Sequence, residues 1–153
     1  MTELNSVDEI LDFAIGEEQK ASDFYTMLAG KMDKPAMKQI FEGFAKEELG
    51  HKAKLEAVKG GKKLISSSEK VADLKIGDYL IEVEEEDAGK LDYQQALIIA
   101  MKKEKAAFRL YSDLAGATND AETKDLLLGL AQEEAKHKLR FEVEYDEFVL
   151  AEN

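Results

Sequence analysis

The chain is written twice. Laid against itself at an offset of 86 residues, the interval between His51 and His137, residues 10–58 align with 96–144 without a gap and match at 16 of 49 positions. The matches include Leu11, Ala14, Glu18, Ala21, Tyr25, Leu28, Glu47, Glu48, His51 and Glu56 with their counterparts, well above what composition alone would produce. A repeat of this length, rich in residues that favour helices and with a single proline in 153 positions (Pro35), reads as a duplicated helical hairpin. Any fold for the chain must therefore be built from two copies of one unit.

Each half divides into two helices. The first begins at the capping box Ser6-x-x-Glu9 and carries an apolar pattern to Gly30, read as the residue just past the helix end. Its copy begins near Asp92, with Gln95 three residues on, and ends at Gly116. The second helix starts after Asp33, with Pro35 tolerated in the first turn, and runs to Gly60 and Gly61. Its copy starts near Asn119, with Glu122 three on, and runs to about residue 150. Four helices of roughly 25 residues, each about 37 Å long, make an all-α four-helix bundle. Short loops at about 31–33 and 117–119 make each hairpin antiparallel. The expected organisation is one domain over 1–153, with hairpin 1 at about 6–59, a long crossover at about 60–90 and hairpin 2 at about 91–150. A short helix near residues 76–80 would give the crossover something to pack with.

The stripes that face the bundle interior carry the chemistry. Stepping by three and four gives Leu11, Ala14, Glu18, Ala21, Tyr25 and Leu28 on the first helix, and Leu97, Ala100, Glu104, Ala107, Tyr111 and Leu114 on the third. On the second helix the same stepping gives Phe41, Phe44, Glu48, His51 and Leu55, and on the fourth Leu127, Leu130, Glu134, His137 and Phe141. Glutamates and histidines thus stand where core residues belong.

Four carboxylates inside a bundle cost several kcal/mol each in lost hydration, and their mutual repulsion adds to that. Two divalent metal ions would bring +4 against −4 from Glu18, Glu48, Glu104 and Glu134, with His51 and His137 as neutral ligands. In Glu-x-x-His the two side chains lie one turn apart on one helical face, so both reach one metal, while the glutamates of the other two helices bridge or cap the pair. One glutamate from each of two helices plus Glu-x-x-His from each of the other two is the ligand set of di-iron and di-manganese carboxylate bundles. An isolated Glu-x-x-His is common on solvated helices, but the chain has only two histidines and both fall in the pattern.

The stretches "AIGEEQKASDFYTMLAG" with "FAKEELGHKAKLE", and "AMKKEKAAFRLYSDLAG" with "LAQEEAKHKLRFE", resemble the rubrerythrin-like branch of the ferritin-like superfamily across nearly the whole chain. The resemblance implies a ferritin-like bundle with a non-haem centre of two iron ions per chain that reacts with hydrogen peroxide or dioxygen, commonly in a homodimer. An external electron donor is then needed, a rubredoxin being one candidate. Two departures stand out. Rubrerythrin proper carries a C-terminal rubredoxin with Cys-ligated iron, and this chain has no cysteine. It also carries a further glutamate one turn after the first on the third helix, where this chain has Ala107, mirrored by Ala21.

The remaining features bound the reading. Without cysteine, any redox metal must be held by carboxylates and imidazoles, which suit iron and also admit manganese. A net charge of −12 argues against nucleic acid and anionic membranes as partners. The longest apolar run, "ALIIAM" at 96–101, is too short to span a bilayer, and the start lacks a basic segment followed by an apolar one, so the cytoplasm is the expected location. Tyr25 and Tyr111 are core aromatics whose buried hydroxyls need acceptors, and a ligand carboxylate on a neighbouring helix is the obvious one, which would give them an accessory catalytic role. Glu47 and Glu133 stand about 100° from Glu48 and Glu134 and are expected to flank the ligands. Glu56 and Glu142 are expected at the surface. The leading function is a di-iron oxidoreductase; the alternatives are oxidation, storage or buffering of ferrous iron, and a metal-free helical interaction module.

Overall fold

A computed structural model describes residues 7–61 and 92–152, which form four α-helices and no strand. They are α1 (Val7–Gly30), α2 (Pro35–Gly60), α3 (Tyr93–Ala117) and α4 (Ala121–Glu152). The box at Ser6 and the segment 62–91, with its expected short helix, lie outside the described residues. The four-helix bundle of paired hairpins is as the repeat predicts. α1 packs along α2 and α3 along α4, while the two hairpins approach each other more sparsely, α1 facing α3 and α2 facing α4.

The helix starts follow local chemistry. At α3 the Asp92 carboxylate accepts from the Gln95 backbone N–H at 2.7 Å, and the Gln95 side chain accepts from the Asp92 N–H at 3.1 Å, closing the expected capping box. α2 begins at Pro35 with no side-chain cap, its missing N–H costing nothing in the first turn. At α4 the cap is Asp120 rather than Asn119: the Asp120 carboxylate accepts from the Thr123 N–H at 3.0 Å and from its hydroxyl at 2.6 Å. Asn and Asp are equally good caps, and the Thr123 hydroxyl, a second donor to the carboxylate, belongs with Asp120. The glycine stops are also shifted. Gly30 is the last residue of α1 and Gly116 lies inside α3, neither with positive φ, so neither makes a left-handed helix end.

The apolar core falls in two clusters. One gathers Leu11, Leu55, Leu114, Leu127 and Leu130; the other gathers Tyr25, Leu28, Phe41, Leu97 and Phe141. On every helix one cluster precedes the inward glutamate and the other follows it. The polar residues therefore form a layer across the middle, sealed above and below by side chains whose burial contributes roughly 1.5–3 kcal/mol each.

Candidate metal centre

All four helices feed that layer. α1 supplies Glu18, α2 supplies Glu48 and His51, α3 supplies Glu104, and α4 supplies Glu134 and His137. None of the six is more than 4% exposed. They form two overlapping groups, Glu18, Glu48, His51 and Glu134 in one and Glu48, Glu104, Glu134 and His137 in the other. Within each group one nitrogen or oxygen per residue lies within 4.8 Å of the rest. Glu48 and Glu134 belong to both groups, whereas Glu18 and Glu104 each serve one. The sharing thus falls to the glutamates that precede the histidines.

Every one of these residues keeps an atom in reserve. Glu18 Oε2, Glu48 Oε1, His51 Nδ1, Glu104 Oε2, Glu134 Oε1 and His137 Nδ1 are buried and have no hydrogen-bond partner. They crowd together nonetheless: His51 Nδ1 is 2.5 Å from Glu134 Oε1, and His137 Nδ1 is 3.0 Å from Glu48 Oε1. A buried polar atom without a partner costs about 1–3 kcal/mol, and six in one place are what a cation-binding site needs. The donor set of carboxylate oxygen and imidazole nitrogen fits a pair of iron or manganese ions.

Four of the six residues are also held from behind. The Tyr25 hydroxyl donates to Glu104 Oε1, and the Tyr111 hydroxyl donates to Glu18 Oε1, each phenol serving the opposite hairpin. The outer imidazole nitrogens are held across the bundle as well, His51 Nε2 by Glu133 and His137 Nε2 by Glu47, the latter at 2.5 Å. Glu47 and Glu133 are 56% and 46% exposed, so they clasp the rings from the solvent side and leave each Nδ1 facing inward. Glu56 is exposed as expected, and Glu142 is half-buried and paired with Lys138.

The rubrerythrin family model matches residues 9–145, which takes in all four helices and the six residues of the layer. The chain belongs to the rubrerythrin family. No curated protein and no solved structure gives a significant match. Rubrerythrins are di-iron carboxylate proteins, and both groups of this member could hold a metal ion.

Electrostatics shows how much this rubrerythrin needs positive charge at the layer. Burial, followed by the charge of Glu104, pushes the Glu48 and Glu134 carboxyls well above their usual range. Burial pulls His137 down, but the close carboxylates of Glu104 and Glu48 outweigh it and raise the imidazole to about 11. His51 is raised against its burial in the same way, by Glu18 and Glu133. Both phenols are raised by burial and then by their glutamates, so they remain donors. The metal-free layer holds protons where cations would otherwise sit.

The two halves of the layer differ in their surroundings although its glutamates and histidines repeat. Phe44 stacks on His137 with ring centroids 4.0 Å apart, whereas the residue equivalent to Phe44 by the repeat is Leu130, which has no ring to stack. A cavity of about 30 Å³, room for a single water, opens on the layer between α1 and α3. Its walls include all four glutamates, Ala21 and Ala107, and neither histidine. Sequence reasoning missed Lys103 and Glu17 at this cavity, because both sit off the inward stripe and nothing in their spacing sets them apart from solvated charge. Among the described residues, no helix is long and apolar enough to cross a membrane.

Proposed function

We propose that this chain is a non-haem di-iron oxidoreductase that reduces hydrogen peroxide or dioxygen with electrons from an external donor, for which a rubredoxin is one candidate. Two iron ions per chain are held by Glu18, Glu48, His51, Glu104, Glu134 and His137, in a single-domain protein working as a cytoplasmic homodimer. The observation that carries this reading is the set of six buried, partnerless atoms, one from each of these residues. Held by these residues, two ferrous ions would supply the two electrons needed to reduce hydrogen peroxide, with two protons, to two waters.

The protein's own residues provide the rest. Glu48 and Glu134 are shared between both groups and fix the spacing of the positions, while Glu18 and Glu104 cap them. Tyr25 and Tyr111 anchor one oxygen of each capping carboxylate, leaving the other to turn toward the centre. Glu47 and Glu133 set the tautomer of the imidazoles by accepting at Nε2. The apolar clusters on either side keep bulk water out.

The test is to load the protein with ferrous iron under anaerobic conditions, measure iron per chain, and mix it rapidly with hydrogen peroxide or dioxygen. Two equivalents of iron, oxidised faster than free ferrous iron, support the reading. Binding of well under two equivalents rejects it, and oxidation accompanied by large hollow oligomers on size exclusion points to iron storage instead.

A further inference from the structure

Position 17 in the first repeat and position 103 in the second are equivalent by the 86-residue offset, yet one is Glu17 and the other Lys103. The residues of the metal layer are kept in both copies; this neighbouring pair is reversed in charge. Both residues line the cavity that opens onto the layer between α1 and α3. Lys103 is half-buried, with its ammonium 5.4 Å from the centre of the Phe24 ring. Glu17 stands 3.4 Å from Lys20, and Lys103 feels Glu17, Lys20 and Glu104.

We propose that Lys103 makes this cleft an entry for small anions, so that a monoanion of two or three atoms is favoured over a neutral molecule of like size at the open face of the centre. The proposal rests on the reading that the six residues hold two metal ions. The surface as a whole repels anions, since the net charge is −12. Four carboxylates balance two ferrous ions, but two ferric ions bring +6 against −4, so the oxidised centre attracts an anion once one has arrived. Lys103, a half-buried cation among the residues lining the cavity, supplies that local attraction, and partial removal from water strengthens it. The cavity has room for about one water, so only the leading atom of a two- or three-atom ligand can occupy it, the rest extending toward the cleft.

The alternative is that Lys103 only covers Phe24 and balances Glu17. Paired ligands separate the two. Iron content is measured first; a wild-type protein holding well under two irons overturns the reading beneath this one, and this one with it. The ferric protein is then titrated with azide, a small anion, and the ferrous protein with nitric oxide, a small neutral ligand, both followed by absorption. Lys103→Gln should weaken azide on the order of three- to tenfold and Lys103→Glu further, while Lys103→Arg stays within about twofold. Nitric oxide affinity should not change in any of them, nor should azide in the exposed control Lys102→Gln. Azide affinity within twofold of wild type in both Lys103→Gln and Lys103→Glu overturns the proposal. So does a parallel loss of azide and nitric oxide, which a structural disturbance would cause.

Discussion

Glu47 on α2 reaches across the bundle to His137 on α4, its carboxylate 2.5 Å from Nε2, and Glu133 on α4 reaches back to His51 on α2. Each hairpin thereby orients the imidazole of the other, and the inner nitrogen of each ring is left toward the buried carboxylates. Two glutamates adjacent in sequence, such as Glu47 and Glu48, thus do different work: one inside and shared by both groups, the other outside and behind a ring.

That division makes a mutational ordering. Glu48→Ala and Glu134→Ala should each lower iron binding well below two equivalents, because each removes a residue common to both groups. Glu47→Ala and Glu133→Ala should keep the stoichiometry and weaken affinity about 10- to 100-fold, the usual effect of losing the group behind a ligating histidine. Competition with a chelator of known affinity measures both quantities. Equal losses at positions 47 and 48 would mean that Glu47 is itself a ligand.

Tyr25→Phe should destabilise the metal-free protein by about 1–3 kcal/mol, since it leaves a buried Glu104 oxygen without its donor while barely changing packing. Tyr111→Phe should do the same through Glu18. Urea unfolding of the metal-free forms gives the number. A change of a few tenths of a kcal/mol in both would show that the phenols are packing residues whose hydroxyls count for little.

The metal-free protein should lose stability as the pH rises. Glu48 and Glu134 have folded pKa values raised above the ordinary 4.5, and His137 is raised from 6.5 to about 11. A raised folded value means that the folded state holds the proton more tightly than the unfolded chain. That contribution is complete below the unfolded value and disappears as the pH climbs through the folded one. The melting temperature should therefore fall as the pH rises above 4.5, and go on falling from 6.5 toward about 11 as His137 loses its proton, and Glu48→Gln with Glu134→Gln should flatten the slope. Loading with metal should flatten it as well, because the ligands are then held deprotonated. An identical slope in the double variant would assign the dependence to surface charge.

The buried layer of glutamates and histidines could be read from sequence because it is repeated, because the chain has only two histidines, and because a glutamate on an apolar stripe has few explanations. The helix ends were harder. Gly30 and Gly116 look like stops, but a glycine can also finish a helix with ordinary φ, and local sequence does not distinguish the two. Asn119 and Asp120 are adjacent and both are good caps, so only the hydrogen bonds from Thr123 decide. The clasp from Glu47 and Glu133 was visible only as an angular offset from the stripe, since its partners lie 90 and 82 residues away. The ring of Phe44 stacked on His137 depends on how the two hairpins face each other, which periodicity within one helix does not encode.

Ala107 is where the chemistry of this chain can be redirected. It lines the cavity between α1 and α3 together with Glu18, Glu104 and Glu134, and its repeat mate Ala21 lines it too. Rubrerythrin proper has a glutamate at the position of Ala107, so the small residue here leaves open the space where a further carboxylate would stand. Ala107→Glu should place that carboxylate near the layer in one half only and make the two metal positions unequal. If the missing group limits peroxide turnover, the ferrous variant will be reoxidised faster by peroxide relative to dioxygen than the ferrous wild type. Stopped-flow mixing of both proteins with each oxidant measures the ratio, and an unchanged ratio removes Ala107 as the cause of any difference in oxidant preference. The cavity of about 30 Å³ is smaller than a glutamate side chain, so the substitution must push outward into the cleft. Metal content and helicity equal to wild type are therefore the first measurements, and Ala107→Gln, of the same size without the charge, shows whether charge or bulk moves the ratio.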